Sequence, residues 1–379
     1  MKKIRLGELL DIGKSYFKSE KKLDNKMDLF FKNQFRGDFI FTNRGMTAIQ
    51  ALIEDFNLEN SEIIIPNFIC SDVFSNLFKH NNIIPKIVDC EKDSFKISLK
   101  EVKKKITNKT KAIMIVHTLG IANNPEEFAK FCKKRGLILI ENCAHCFHTK
   151  YKKEYLGSFG DASIFSFRSK EVRSFVGGMY LNNRRKISEK VRNKLDKFRY
   201  KREDLIRAIN IFKISNLLSK IRRNVAPNAK FSNVGKKHEI YHIPKIGKAL
   251  FCYHIENMDI LKKKKMALKL YNGLSNKKIK IFISEKEVKE FSARSFPLML
   301  KNRAEVYDKL LKLGLNPGKG WTPTFSENEF AKKKWNLSNT GNAEKYSREL
   351  LTISLDEIND KNIAKIVELL DFHKNKERL

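Results

Sequence analysis

The feature of this chain that most constrains its fold is an alternation, between residues 36 and 182, of short apolar runs with longer helical stretches. The runs are rich in Ile and Val, without the alternating polar residues of a half-buried strand. They are IIIP (63–66), IIPKIVD (83–89), KAIMIVHTLG (111–120), GLILIEN (136–142), ASIFSF (162–167) and GGMYLNN (177–183). Strands buried on both faces have this composition, and helices between them supply the crossovers of a parallel sheet. The pattern predicts an α/β fold with a mostly parallel sheet flanked by helices.

The last two runs lie too close together for a helical crossover. The segment that joins them, RSKEVRSFV (168–176), is polar and basic. We predict a loop here, at the edge of the sheet where open α/β folds bind their ligands.

The chain becomes strongly basic from residue 183 to 280, with tracts such as KIRRN and KKKK. Over 203–224, apolar residues recur at helical spacing between Lys and Arg, which predicts a basic amphipathic helix. Such a helix could pack its apolar stripe on its own chain and leave the basic face in solvent. It could instead dock on an anionic membrane surface, or contact a nucleic acid or protein partner. A second long helix is predicted over 244–273.

Length and pattern together predict two domains. A chain of 379 residues corresponds to about two domains of usual size. We predict a large α/β domain over 1–245, followed over 246–379 by a linking helix and a smaller α+β domain.

The charge balance favours anionic ligands, because 77 Lys and Arg against 43 Asp and Glu give a formal charge of +34. Nucleic acid, membrane headgroups and phosphorylated ligands would all be attracted. The sequence has no helix-turn-helix or zinc-finger pattern, so no specific nucleic-acid binding is predicted. No apolar run is long enough for a membrane span or a leader, and we expect a cytoplasmic protein.

The six cysteines suit a reducing compartment better than a disulfide framework. Cys143 and Cys146 form a C-x-x-C with His145 between them. A zinc site would need a second pair at similar spacing, which the sequence lacks. No metal site is predicted.

A candidate phosphate site lies in TNRGMTAIQAL (42–52), where Asn43 and Gly45 precede a strongly helical run. The first N–H groups of a helix have no partner within the helix, and the positive end of its dipole attracts anions. Arg44 and Thr47 could add contacts. A plain capped helix would have the same pattern, so this segment alone leaves both interpretations open.

The run ILIENCAHC (138–146) ends in Glu141, Asn142 and His145. Polar side chains at the carboxyl end of a central strand lie where α/β sheets bind ligands. The alternative is a strand-end turn with a hydrogen-bonded histidine.

Lys170 follows the buried run ASIFSF, and Gly177-Gly178 precedes the next one. Partial desolvation of the lysine would make its neutral amine available for a Schiff base, whereas an ordinary surface lysine is the alternative. The two glycines permit a tight return into the strand and close approach to a bound group.

In their order and spacing, these places resemble the DegT family of fold type I pyridoxal-phosphate enzymes, mostly aminotransferases of nucleotide-linked keto sugars. RGMTAI resembles the phosphate-binding S-G-T-A-A-L of that family, and EIIIPNFICSDVF resembles V-I-V-P-x-F-T-F-x-A-T. TKAIMIVHTLG resembles T-K-A-I-x-x-V-H-x-x-G, and ILIENCAHC resembles I-E-D-x-A-H/Q. The run YLGSFGDASIFSFRSK, which is followed by GG, resembles G-x-x-G-D-x-x-x-F-S-F-x-x-x-K followed by G-G. The resemblance covers most of the chain and implies the fold type I architecture with a smaller C-terminal domain.

The resemblance also implies roles for single residues. Lys170 would carry the cofactor as a Schiff base and move the proton during catalysis. Ser166, with the backbone amides of Gly45, Met46 and Thr47, would hold the phosphate of pyridoxal phosphate.

Two residues would meet the cofactor ring. His145 would lie against the ring near its phenolic oxygen, and Asn142 occupies the position where the family has an Asp paired with the ring nitrogen. A carboxylate stabilises the protonated nitrogen that makes the ring an electron sink, whereas a neutral amide can only donate or accept hydrogen bonds.

Three further positions depart from the family pattern. Met46 replaces a hydroxyl residue, Cys70 stands where an aromatic side chain normally stacks on the ring, and Ser166 precedes Lys170 by four residues instead of five. Phe68 could stack on the ring instead, and Arg168 could compensate at the phosphate.

Two functions follow from the resemblance. The first is a pyridoxal-phosphate aminotransferase acting on a nucleotide-linked keto sugar in surface polysaccharide or amino-sugar biosynthesis, with an amino donor such as glutamate. The second is a family relative with lost or altered catalysis, serving as a sugar-nucleotide-binding or structural subunit. The resemblance further implies a homodimer, and peripheral membrane contact is one of the alternatives for the helix over 203–224.

Overall fold

The computed structural model describes residues 6–167, 176–197, 239–277, 279, 281–290, 292, 294–320 and 323–376. Fourteen α-helices are defined in these ranges. They are α1 (Leu6–Phe17), α2 (Glu20–Lys32), α3 (Gly45–Asp55), α4 (Ser71–His80), α5 (Leu99–Lys105), α6 (Pro125–Arg135), α7 (Glu189–Lys197), α8 (Lys245–Glu256), α9 (Ile260–Asn276), α10 (Glu285–Glu290), α11 (Arg303–Lys312), α12 (Glu329–Trp335), α13 (Asn342–Glu349) and α14 (Asp360–Lys376).

Eleven strands accompany the described helices. They are β1 (Asp38–Thr42), β2 (Glu62–Pro66), β3 (Ile84–Val88), β4 (Thr110–Val116), β5 (Ile138–Asn142), β6 (Lys150–Tyr151), β7 (Glu154–Tyr155), β8 (Ala162–Ser166), β9 (Gly178–Asn182), β10 (Ser295–Met299) and β11 (Leu350–Ser354). Seven form one sheet in the order β1-β9-β8-β5-β4-β2-β3, with β2–β3, β2–β4 and β4–β5 parallel. The predicted α/β class is confirmed.

Each predicted run contains a strand of this sheet, but β1 was not predicted. It pairs antiparallel with β9, from Asp38 opposite Asn182 to Thr42 opposite Gly178. Strand β1 shows no long Ile and Val run, so its pairing with distant β9 determines its conformation more than its own composition does.

The described chain divides into two compact units. The first comprises Met1–Glu59, Asn76–Asn82 and Ile164–Met258, and the second comprises Asn60–Ser75, Ile83–Ser163 and Asp259–Leu379, in each case as far as the residues are described. The domain boundary between 245 and 246 stays a prediction.

Aromatic packing dominates the core of the first unit. The ring of Phe31, on α2, lies 5.4 Å from Phe41, 5.9 Å from Phe167 and 5.5 Å from Phe251, measured between ring centroids. Helix α2 places Phe31 inward because its apolar positions recur every fourth residue, with Leu23 and Met27 also buried.

Two apolar clusters lie in the described part of the second unit. In one, Ile64, Ile113 and Leu139 of the parallel strands pack against Phe128 and Cys132 of α6. The other surrounds the antiparallel pair β10–β11, and it includes residues of α9 and α14. Strand β5 contributes Leu139 to the first cluster, so packing holds the residues at its carboxyl end in place.

The prediction of one continuous helix over 244–273 is wrong, because α8 and α9 are separate helices. Asn257 ends α8, and both its backbone N–H and its side-chain amide donate to the carbonyl of Tyr253. Asp259 then begins α9 by accepting the N–H of Lys262 at 2.8 Å. Both residues prefer helix ends to helix interiors, since their side chains compete for backbone hydrogen bonds.

Two other predictions fall outside the described residues: the loop that contains Lys170 and the basic helix over 203–224. Within the described ranges, no helix is both long enough and apolar enough to span a membrane.

Candidate functional site

The start of α3 provides a candidate anion site in the first unit. Its first helical hydrogen bond runs from the N–H of Ala48 to the carbonyl of Arg44, so the N–H groups of Gly45, Met46 and Thr47 precede it. Arg44 occupies the N-cap in an extended conformation, and its own side chain makes no capping hydrogen bond. The bridge between Arg44 and Gly177 directs the Gly45 N–H towards the Gly177 carbonyl, which leaves the N–H groups of Met46 and Thr47 as the donors for an anionic ligand.

Thr47 contributes to this helix start through its backbone. Its hydroxyl donates to Oδ1 of Asn43 at 2.6 Å, and both side chains are buried. Because the hydroxyl proton is used inside the chain, the backbone N–H is the donor that Thr47 has left for a ligand.

Ser166, at the end of β8, lies directly beside the start of α3. A Cβ built on Gly45 would lie 2.9 Å from Cβ of Ser166 and 3.2 Å from its Oγ. Glycine is thus required at 45, and its lack of a side chain brings the serine hydroxyl next to the free amide groups. The structure brings these two predicted phosphate residues together.

The glycine pair predicted to approach a ligand has a clear role within the chain. A Cβ on Gly178 would lie 2.6 Å from the carbonyl carbon of Arg44 and from the nitrogen of Gly45. Gly177 has φ of 119°, and its N–H donates to Asn43 at 2.6 Å. These contacts fix the start of α3 against β9.

Asn142 ends β5 in the second unit and is 5 % exposed. Its Oδ1 accepts the N–H of Ala144 at 3.1 Å, and its carbonyl accepts the N–H of His117 at 3.2 Å. Its Nδ2 has no acceptor in the described part of the chain. The side chain therefore presents Nδ2 as an accessible donor at the carboxyl end of a central strand.

The neighbouring Glu141 has a structural role that the sequence did not reveal. One carboxylate oxygen faces Nε2 of His117 at 2.9 Å and accepts the N–H of Gly157 at 3.0 Å. The other accepts the N–H groups of Phe159 and Gly160 at 2.8 and 2.6 Å. Glu141 and His117 are both fully buried. The hydrogen bonds of Glu141 hold the 157–160 turn to β5. Strand alternation puts Asn142 on the opposite face.

His117, Glu141 and Cys143 also bring potential metal ligands within 4.8 Å of one another. Nδ1 of His117 accepts the N–H of Asn123 at 3.1 Å, so its proton is on Nε2, directed at Glu141. Burial, with a hydrogen bond involving Cys146, raises the pKa of the Cys143 thiol well above its usual range. Hydrogen bonding accounts for this cluster without an ion.

His145 lies in the turn after β5 and is half-buried, between the buried thiols of Cys143 and Cys146. The turn is closed by the N–H of Cys146, which donates to the carbonyl of Cys143 at 3.4 Å. The C-x-x-C pair thus packs inward, and Ala144 and His145 between the two cysteines are half-buried.

Phe68 and Cys70 follow β2 and differ in exposure. Phe68 is 2 % exposed, with its ring stacked on Phe95 at 5.6 Å between centroids. Cys70 is exposed, immediately before α4. The proposed stacking of Phe68 on a cofactor stays a prediction, and its observed partner is Phe95.

Sequence reasoning missed Asn67 and Glu344, which connect distant segments of the second unit. Nδ2 of Asn67 donates to Oε1 of Glu344 at 2.8 Å, and Ser326 donates to the same oxygen at 2.5 Å. Asn67 directly precedes Phe68, so this network fixes the loop after β2. Nothing in the local sequence pairs these two residues.

A match to a family model covers residues 18–371. The chain belongs to the DegT/DnrJ/EryC1/StrS aminotransferase family. Among curated DegT/DnrJ/EryC1/StrS relatives, it is 40 % identical over 128 residues to a GDP-perosamine synthase of Escherichia coli O157:H7, covering 33 % of this chain and 34 % of that protein. The matches to the first curated relatives thus span about a third to a half of their lengths.

Solved structures extend the likeness to nearly the whole chain. The putative sugar aminotransferase Spr1654 of Streptococcus pneumoniae, in its PMP form, has a TM-score of 0.73 at 16 % identity and covers 98 % of this chain and 96 % of that one. The E. coli GDP-4-keto-6-deoxy-D-mannose-3-dehydratase with bound hydrated PLP has a TM-score of 0.71 at 16 % identity, with 98 % of both chains covered. These similarities show that the DegT/DnrJ/EryC1/StrS chain has the same fold, which confirms the predicted fold type I architecture.

Proposed function

We propose that this protein is a pyridoxal-phosphate-dependent aminotransferase that converts a keto group of a nucleotide-linked sugar to an amine. Membership of the family over residues 18–371 supports this, as does the similarity to a GDP-perosamine synthase. The formal charge of +34 is suited to a cofactor and a substrate that both carry phosphate. Surface polysaccharide or amino-sugar biosynthesis is the proposed setting.

The observation that carries the proposal is the contact between Gly45 and Ser166. A hydroxyl beside a helix start gives a phosphate several converging donors without a bulky side chain between them. A Cβ at Gly45 would fill this cradle, at 2.9 Å from Ser166. The backbone amides of Met46 and Thr47 extend the set of donors, and the Met46 side chain is not needed for it.

The remaining roles are those that the family resemblance implies for each residue. Bound pyridoxal phosphate supplies a carbonyl carbon that accepts and returns an amino group, and a ring that withdraws electrons from it. Lys170 would provide the amine that bonds to that carbon, and its Nζ would move the proton at the substrate carbon that carries nitrogen. Asn142 would meet the ring nitrogen and His145 would lie against the ring, with Cys70 and Phe68 beside it.

The bond to Lys170 provides the first test. We expect purified protein with added pyridoxal phosphate to absorb in the visible range, and borohydride to fix the cofactor on the peptide that contains Lys170. Lys170→Ala should abolish both signals. Lys190→Ala, at an exposed lysine of α7, should leave them intact. Wild-type protein that binds no cofactor and forms no reducible adduct would refute the proposed function.

Three finer points accompany the proposal. Glutamate is the proposed amino donor, and its conversion to 2-oxoglutarate by the loaded protein tests this.

A homodimer is the proposed assembly, which sedimentation equilibrium tests, and a monomer at all concentrations would contradict it. Peripheral membrane contact through 203–224 is tested by binding to anionic liposomes, which should weaken when this segment is deleted.

The buried amide of Asn142 favours a second candidate function, a relative with lost or altered catalysis that binds a sugar nucleotide. An amide cannot supply the negative charge that stabilises a protonated ring nitrogen. If altered catalysis is correct, wild-type protein should bind the sugar nucleotide but transfer no amino group, and Asn142→Asp should raise the rate of the half-reaction. Rapid transfer by the wild type would exclude this candidate.

A further inference from the structure

The orientation of the Asn142 side-chain amide is fixed by its surroundings. The N–H of Ala144 lies 3.1 Å from the side-chain atom assigned as Oδ1. A backbone N–H can only donate, so the atom that faces it must be the oxygen. A flipped amide would set two donors against each other, and Nδ2 is therefore the atom left for a ligand.

This Nδ2 is a donor that is left for a ligand. Asn142 as a whole is 5 % exposed, but Nδ2 is not one of the enclosed polar atoms that lack a partner, so it stays accessible to a ligand. Within the ranges that the structure describes, no group of the chain accepts its N–H. A ligand atom with a lone pair could do so, whereas a ligand N–H would meet a second donor.

A carboxylate at the same position would have the opposite preference. One oxygen would accept the N–H of Ala144, as Oδ1 of Asn142 does, and the other would remain an acceptor for a protonated ring nitrogen. In Asn142, the donor Nδ2 replaces this second carboxylate oxygen, which is an acceptor. The expected partner changes accordingly, from a ring N–H to a ring nitrogen with a free lone pair.

Neither the Glu141 carboxylate nor the Cys143 thiol restores an acceptor at this strand end. The Glu141 carboxylate lies on the opposite face of β5, where it is bonded to His117 and to three backbone N–H groups. Burial keeps the Cys143 thiol protonated by raising its pKa. His145 is half-buried in the following turn.

We propose that Asn142 donates a hydrogen bond from Nδ2 to the ring nitrogen of the bound cofactor and so holds that nitrogen unprotonated. This inference rests on the proposed function, because it requires pyridoxal phosphate in the site. An unprotonated ring withdraws electrons less strongly, so the protein has a weaker electron sink than a relative with Asp at this position.

Nitrogen NMR of the loaded protein tests the protonation state directly. Pyridoxal phosphate labelled at the ring nitrogen is bound to wild-type protein and to Asn142→Asp at neutral pH. We expect the wild-type resonance at the position of a neutral pyridine, and a large upfield displacement to the pyridinium position in Asn142→Asp. Asn33→Asp, at an exposed asparagine, adds the same charge and should give the wild-type spectrum.

The outcomes separate this inference from the proposed function. A pyridinium resonance in wild-type protein would overturn the role of Asn142 while leaving cofactor binding intact. The absence of any bound resonance would refute the proposed function and this inference together. If Asn142→Asp does not fold, the wild-type spectrum alone tests the inference. Asn142→Ser can still accept the Ala144 N–H, and its resonance should stay at the neutral position.

Discussion

At the residue scale, the six thiols differ in exposure and therefore in reactivity. Cys70 is exposed, and the other five are buried. Burial raises the pKa of the thiols of Cys90 and Cys143, and it raises that of Cys252 to about 11. Because the thiolate is the reactive form, buried neutral thiols react slowly while the protein stays folded.

We therefore expect one fast-reacting thiol in the native protein. A chromogenic thiol reagent should show a single rapid phase that disappears in Cys70→Ser and persists in Cys132→Ser, a buried position. Added pyridoxal phosphate should slow the rapid phase if Cys70 borders the cofactor. An unchanged rate with saturating cofactor would exclude Cys70 from the site, and a rapid phase in Cys70→Ser would contradict its assignment to that residue.

At the scale of single elements, the start of α3 shows how a strand end and a helix start form one site. Ser166 ends β8, Gly178 begins β9, and both lie against the first residues of α3. Bulky side chains at these positions would separate the elements. The small residues keep the amide groups of α3 and the hydroxyl of Ser166 within reach of one phosphate.

Gly45→Ala should weaken cofactor binding without unfolding the protein. Its Cβ would lie 2.9 Å from Cβ of Ser166, and relieving such overpacking typically costs about 1–3 kcal/mol. We expect the dissociation constant for pyridoxal phosphate, measured by absorbance titration, to rise by about tenfold or more. Gly13→Ala in α1, where nothing lies within 4 Å of the added atom, should leave that constant unchanged. Equal affinities of the two variants would argue against the phosphate site.

At the scale of the whole molecule, hydrogen bonds connect segments that are hundreds of residues apart in the sequence. In the second unit, Asp89 accepts the backbone N–H groups of Asn342 and Ala343 at 2.9 and 2.8 Å. Glu344 accepts from Asn67 at 2.8 Å in the same region. These two carboxylates fix the start of α13 to the loops that follow β2 and β3.

Glu344 makes this connection dependent on pH. Burial alone would raise its pKa, but hydrogen bonds from Ser326 and from the backbone of Thr340 and Gly341 outweigh burial and lower the pKa to about 2. The unfolded chain, with an ordinary carboxyl, takes up the proton first as the pH falls. The stabilisation is therefore complete above the unfolded pKa, and it is lost between about pH 5 and pH 2.

Urea unfolding at several pH values measures this contribution. We expect Glu344→Gln to lower the midpoint at neutral pH, and the difference from wild type to shrink as the pH falls through this window. Glu329→Gln, at an exposed residue of α12, should follow the wild-type curve. A difference that stays constant from neutral to acidic pH would show that Glu344 contributes by packing alone.

The sequence by itself determined six of the seven strands of the large sheet and the family that the chain resembles. Uninterrupted Ile and Val runs predict buried strands because burial on both faces leaves no room for polar residues. The cofactor was proposed from the family resemblance that the ordered motifs around Gly45, Asn142 and Ser166 carry.

Only the tertiary structure decided which groups meet. The pairing of His117 with Glu141, the division between α8 and α9, and the link from Asn67 to Glu344 depend on hydrogen-bond partners that composition does not reveal. The sequence showed that Asn142 lacks a charge, and the structure showed which of its two side-chain atoms remains for a ligand. The physical reason is that a hydrogen bond requires one donor and one acceptor in contact, and folding alone determines which groups make that contact.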